Sequence, residues 1–292
     1  MMEQLKGTGV AIITPFTTDG EVDYNAYSTL IEFYIAEGID YLVVLGTTGE
    51  TATLTKEEKQ KVAETVVQIN AGRLPLVIGK GGNNTAALVE EIKTSSFDGF
   101  DAILSVCPFY NRPNQEGLFQ HFAAVAEASP LPILLYNVPS RTGVSIANET
   151  VVRLANTYPL IIGIKDATGD IASGKELIQS TSPDFLVISG DDESALDLVL
   201  CGGVGIISVI GGGLPRLVSK MIQLGRERKT EEAQSLLNQI RLMIGLIFKE
   251  GNPTGVKSLL KHQNKCGNEL RLPLVRASEA LNIEIASAFS KI

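Results

Sequence analysis

Eight short apolar runs punctuate the first three quarters of the chain, at residues 10–13, 41–45, 76–78, 102–106, 133–136, 161–164, 186–188 and 205–209. Each is continuous rather than alternating, the pattern of parallel strands buried on both faces. The segments between them carry helical spacing and helix-end signals. Asp23 caps a helix with the face Tyr27, Leu30, Ile31, Tyr34 and Ile35, stopped by Gly38. Thr55 and Glu58 form a capping box ahead of Val62, Val66 and Ile69. Leu118, Phe122, Val125 and Ala126 line another helix, Leu196, Val199 and Leu200 the next, and Pro215 opens the last of the set. Eight strand–helix units predict an α/β chain closed into a (β/α)8 TIM barrel. An open dinucleotide-binding sheet lacks its signature, because no G-x-G-x-x-G follows the first strand. Beyond Gly225 the pattern turns to helices alone, at 230–249, 253–262 and 278–289. The expected division is a barrel over residues 1–225 and a three-helix appendage over 226–292.

Bulk properties narrow the partners. A net charge of −8 repels phosphates, which argues against nucleic acid and anionic membrane. The longest apolar runs are of strand length, short of the ~20 residues of a membrane span. Residues 1–6 lack the basic flank and apolar core of a signal peptide. Cys107, Cys201 and Cys266 form no C-x-x-C pair and read as free thiols in a reducing, cytoplasmic compartment.

Active sites of such barrels sit at the C-terminal ends of the strands. Read there, the chain offers Thr14, then Gly46-Thr47-Thr48-Gly49-Glu50, Tyr110, Tyr136 with Arg141, Lys165-Asp166 and Gly190-Asp191. Lys165 ends an otherwise apolar run, and a lysine is almost never buried without a partner. Either Asp166 or Asp191 pairs with it, or it attacks a carbonyl and forms a Schiff base. The "GTTGE" turn offers N–H groups and hydroxyls that suit a small carboxylate, or it is a turn needing its glycines. Arg141 has the fork for a second carboxylate, or it is a surface arginine. The glycine-rich 201–213 segment marks a phosphate site or, in better accord with its lack of a P-loop lysine, a place where backbone approaches a ligand or a crowded barrel end. His121 and His262 lack zinc spacing, and Asp191-Asp192 is a weak magnesium motif. A metal-independent lysine mechanism fits best.

Five segments together, "GTTGE" (46–50), "PFYNRPNQEGLFQHF" (108–122), "YNVPSRTG" (136–143), "GIKDATGD" (163–170) and "SGDD" (189–192), carry a resemblance that spans nearly the whole chain. The chain resembles the dihydrodipicolinate synthase and N-acetylneuraminate lyase superfamily of Schiff-base pyruvate aldolases. "GTTGE" with "YNVPSRTG" is similar to the synthase branch. The resemblance implies a lyase that needs no cofactor or metal and joins pyruvate to aspartate semialdehyde on the diaminopimelate route to lysine. It implies an imine on Lys165, a pyruvate carboxylate held by Thr47 and Thr48, and a proton relay of Thr48, Tyr136 and Tyr110. It also implies that Arg141 receives the semialdehyde carboxylate, and that Gly190 and Ile207 complete the pocket wall. The assembly it implies is a homotetramer, a dimer of dimers, in which Tyr110 reaches a neighbouring active site.

Departures from the family pattern carry expectations of their own. Lysine-inhibited relatives have small polar residues, histidines, a glutamate and a tyrosine where this chain has Thr51, Lys56, Lys59, Ala87 and Phe109. Feedback by lysine is therefore expected to be weak or absent. "NPTGVK" (252–257) departs from the usual "NP-aliphatic-Pro-Val-Lys". Two alternatives stay open: an aldolase of sialic or 2-keto-3-deoxy sugar acids, and a barrel that binds a keto acid without turnover.

Overall fold

The computed structural model describes residues 2–292. Eight parallel strands close into a barrel in sequence order: β1 Gly7–Ala11, β2 Tyr41–Val44, β3 Leu76–Lys80, β4 Ala102–Val106, β5 Ile133–Asn137, β6 Ile161–Asp166, β7 Leu186–Ser189 and β8 Gly205–Ser208. The first strand begins three residues before the expected run, in the small and polar Gly7-Thr8-Gly9. Close approach demands those glycines. A Cβ on Gly9 would stand 2.3 Å from the Tyr41 ring, and one on Gly205 1.9 Å from the Gly7 carbonyl oxygen. The glycine-rich 201–213 segment thus contains the seam where β8 closes on β1.

The strands alternate between two apolar layers, as a period of two requires. Ala102, Leu104, Leu134, Tyr136, Ile188 and Ile207 fill the barrel interior, while Ile103, Ile133, Leu135 and Ile164 pack outward against the helices. One irregularity matters for chemistry. Ile133 pairs with Ile161 but Leu134 pairs with Gly163, so β6 spends an extra residue there. This bulge resets the register to Tyr136 opposite Lys165 and Asn137 opposite Asp166. Lys165 therefore points inward beside Tyr136, and Asp166 outward.

The helices form where expected. Tyr24–Ala36 starts on the Asp23 carboxylate, which accepts from the Asn25 and Ala26 amides. Both hydrogen bonds of the Thr55–Glu58 capping box are made ahead of Lys56–Asn70. After Pro215–Arg226 come Thr230–Phe248, Thr254–His262 and Glu279–Phe289. These last three bury Ala233, Leu237, Ile240, Leu259 and Leu281 in the same apolar cluster as the outer layer of the barrel. The "TG" departure has a packing reason: a Cβ on Gly255 would lie 2.3 Å from the Ile247 carbonyl oxygen, so only glycine lets the two helices cross this closely. Among the described residues no helix is long and apolar enough to cross a membrane.

Candidate active site

Lys165 is 5% exposed at the end of β6, with Nζ 4.4 Å from the centroid of the Tyr136 ring. Among the described residues it makes no ion pair. The two acids that sequence offered as partners are turned elsewhere. Asp166 accepts from Thr168 at 2.8 Å and from Asn137 at 3.1 Å, and burial lifts its carboxyl above the usual range. Asp191 accepts from the Ser194 hydroxyl at 2.6 Å and the Ser194 amide at 3.0 Å. A buried lysine without a counter-charge is an expensive arrangement that structure alone does not require.

A cavity of about 560 Å³ opens over the strand ends. Thr47, Tyr136, Arg141 and Asn252 line it together, with Leu104, Val106 and Val138 as apolar wall. Thr47 opens the 3-10 turn Thr47–Gly49, the first of two after β2, and is half-buried. Thr48, the next residue of the turn, is buried, and its hydroxyl accepts from Asn252 Nδ2 at 3.0 Å. Arg141 stands in the short helix Pro139–Thr142 and donates one N–H to the Asn252 main-chain oxygen at 3.2 Å. Gly190 presses on the lysine: a Cβ there would meet Lys165 Cε at 2.8 Å. Ile207 is fully buried in the barrel interior.

Tyr110 is not brought to this cavity. It is 89% exposed in the loop after β4, at a φ of +73° that a tyrosine rarely adopts. Such local strain concentrates at functional sites. Thr51, Lys59 and Phe109 line the outer part of the cavity, beside Lys80, which is paired with Glu91 at 2.6 Å. Asp192 is fully buried and accepts from the Val209 and Ile210 amides at 3.1 and 3.0 Å and from the Ser208 hydroxyl, so it shapes the loop after β8.

The C-terminal appendage supplies what the rim motifs did not reveal. Besides Asn252, Lys257 reaches Glu50 of the "GTTGE" turn in an ion pair with both side chains fully buried. Lys257 also donates to the Glu269 carbonyl at 2.7 Å, and Arg271 donates its amide to Glu50 at 3.2 Å. The Arg271 guanidinium forks onto Glu58, whose carboxyl it holds below the usual range. The turn that presents Thr47 and Thr48 is therefore clamped from outside the barrel. The sequence signal was present in the "NPTGVK" segment, but it named no partner.

Similarity to known proteins agrees with this geometry. Residues 4–292 match the Dihydrodipicolinate synthetase family. The 4-hydroxy-tetrahydrodipicolinate synthase of Flavobacterium psychrophilum is 52% identical over 281 residues, 96% of each chain. That of Cytophaga hutchinsonii is 48% identical over 291 residues, covering 100% of this chain and 98% of its own. The crystal structure of the chloride-inhibited dihydrodipicolinate synthase of Acinetobacter baumannii, complexed with pyruvate, superposes with a TM-score of 0.95 at 40% identity, covering 98% of both chains. The enzyme from Aquifex aeolicus gives 0.95 at 37% identity, again with 98% of both chains covered. With this barrel, this buried lysine and likeness over essentially its whole length, the chain belongs to the dihydrodipicolinate synthetase family.

Proposed function

We propose that this chain condenses pyruvate with L-aspartate 4-semialdehyde to 4-hydroxy-tetrahydrodipicolinate, on the diaminopimelate route to lysine. The observation that carries the reading is a buried Lys165, without an ion pair among the described residues, against Tyr136, which lines a cavity together with Arg141. The Lys165 amine adds to the pyruvate ketone and water leaves, giving an imine. The imine draws electrons from the methyl group, which loses a proton and becomes the nucleophilic carbon of an enamine. That carbon attacks the aldehyde, whose oxygen takes up a proton. The amine of the joined semialdehyde then attacks the imine carbon, closes the ring and displaces Lys165.

The proton transfers need hydroxyls near the imine. Tyr136 is adjacent to Lys165 across the register. The half-buried Thr47, which shares the cavity with Tyr136, suits the relay better than Thr48, whose hydroxyl is engaged by Asn252; Thr48 is assigned to the pyruvate carboxylate. Tyr110 completes the relay from a neighbouring subunit of a homotetramer, a reading supported by its exposure and its left-handed backbone. Arg141 takes the semialdehyde carboxylate with the N–H groups not given to Asn252. Gly190 and Ile207 shape the wall. Residues 226–292 act as an appendage that braces the site through Asn252, Lys257 and Arg271. The reaction belongs in the cytoplasm, in keeping with free Cys107, Cys201 and Cys266.

The test is a competition. Purified protein receives pyruvate with aspartate semialdehyde, N-acetylmannosamine and glyceraldehyde together, and the product is identified by mass. A cyclised semialdehyde product supports the reading. A sialic or deoxy-sugar acid would move the chain to another branch and remove the role given to Arg141. Lysine feedback is weak in this reading, because Lys59 and Lys80 face the outer cavity and its one lining carboxylate beyond the Glu50 turn, Glu91, is taken by Lys80. Half-inhibition by sub-millimolar lysine would contradict that part.

A further inference from the structure

The residue that joins the two halves of the site lies outside the barrel. Asn252 stands in the appendage, 204 residues from Thr48 in sequence, yet its carboxamide donates to Thr48 Oγ1 at 3.0 Å while its main-chain oxygen receives the Arg141 guanidinium. The carboxamide oxygen, Oδ1, is buried with no partner among the described residues of the chain. A buried acceptor left unpaired is costly, and folding has no use for it here. The bond to Thr48 is the one hydrogen bond the carboxamide makes among the described residues.

A threonine hydroxyl has one proton and two lone pairs. With one lone pair occupied by the Asn252 N–H, the hydroxyl proton is turned away from Asn252. No acceptor within the chain receives that proton among the described side-chain hydrogen bonds, which leaves it for a ligand. Without Asn252 the hydroxyl would rotate freely, and its best local acceptor would compete with a substrate carboxylate. We propose that Asn252 is a positioning residue: its amide fixes the direction of the Thr48 hydroxyl, so that the proton is held ready for the carboxylate of the keto acid. The inference rests on the pyruvate reading above. It assigns to the appendage a part in substrate affinity, separate from the packing of its helices.

The experiment measures imine formation directly, by borohydride trapping of pyruvate on the intact protein across a range of pyruvate concentrations. The variants are Asn252→Ala, Thr48→Val and the two combined. Asn252→Ala should raise the half-saturating pyruvate concentration about tenfold with little change in thermal midpoint, since it also removes the unpaired acceptor. In the Thr48→Val background the same substitution should add nothing, because the group it acts through is gone. Asn252→Asp keeps the volume, replaces the donor by an acceptor, and should reproduce the rise even if Asn252→Ala folds poorly. Unchanged half-saturation in both Asn252 variants, or an effect that adds fully to that of Thr48→Val, overturns the inference and leaves the pyruvate reading standing. Failure of the unsubstituted protein to trap pyruvate at all overturns both.

Discussion

Gly190→Ala isolates the placement of the Lys165 side chain. Gly190 has an ordinary backbone, absent from the residues of positive φ, so alanine meets no conformational penalty there. What it meets is Lys165. The new Cβ would lie 2.8 Å from Cε and 3.0 Å from Cγ of the lysine, and 2.8 Å from the Ala167 Cβ. Ordinary contact begins near 3.4 Å, so the lysine stem must withdraw by 3.4 − 2.8 = 0.6 Å. Overpacking of this kind costs about 1–3 kcal/mol in stability. A displacement approaching 1 Å at a reacting group costs up to ~100-fold in rate. We therefore expect pyruvate trapping on Gly190→Ala to slow by about 10–100-fold while the protein remains folded. Adding Ala167→Gly relieves one of the three contacts but not those to the lysine, so it should restore stability more than rate. Trapping at the unsubstituted rate in Gly190→Ala would refute the idea that this glycine sets the position of the reacting amine.

Three further outcomes follow from the geometry. Lys257→Met leaves Glu50 buried without its cation and should lower unfolding free energy by about 3–5 kcal/mol in urea titration; Glu50→Gln together with Lys257→Met should recover most of it, and a loss that does not recover would contradict a coupled pair. His121 is buried with Nδ1 against the Thr85 hydroxyl at 2.8 Å, and burial pulls its pKa down to about 4. The unfolded chain takes up that proton first, so stability is intact above the ordinary value of 6.5 and is lost as pH falls towards 4. Relative to His121→Gln, the unsubstituted protein should lose about 2–3 kcal/mol between pH 7 and 4.5, and parallel curves would remove His121 as the cause. Tyr110→Phe should lower turnover by about 10²-fold while pyruvate is still trapped, since the hydroxyl moves protons and does not bind the keto acid. Full turnover would exclude Tyr110 from the relay.

The barrel was legible because its signal is repeated eight times, and the rim because Lys165 interrupts an apolar run. The inward direction of Lys165 was less so, since it depends on the bulge at Ile162 that brings Gly163 opposite Leu134. The start of β1 was hidden by Gly7-Thr8-Gly9, residues chosen for close contact with β2 and β8 rather than for apolarity. The two threonines of the turn look alike in sequence. Structure separates them, with Thr47 lining the cavity and Thr48 buried and bonded to Asn252. Asn252, Lys257 and Arg271 could not be connected to the "GTTGE" turn by any local pattern, because more than 200 residues separate the partners. Tyr110 is exposed and does not line the cavity of its own chain, so the relay role proposed for it needs a second copy.

The most direct test of the central claim is to reduce the protein with borohydride in the presence of pyruvate and locate the modification by peptide mapping. The account predicts one reduced pyruvyl group per chain, on Lys165, and none in Lys165→Arg. An unmodified chain, or an adduct carried on another lysine, would contradict it.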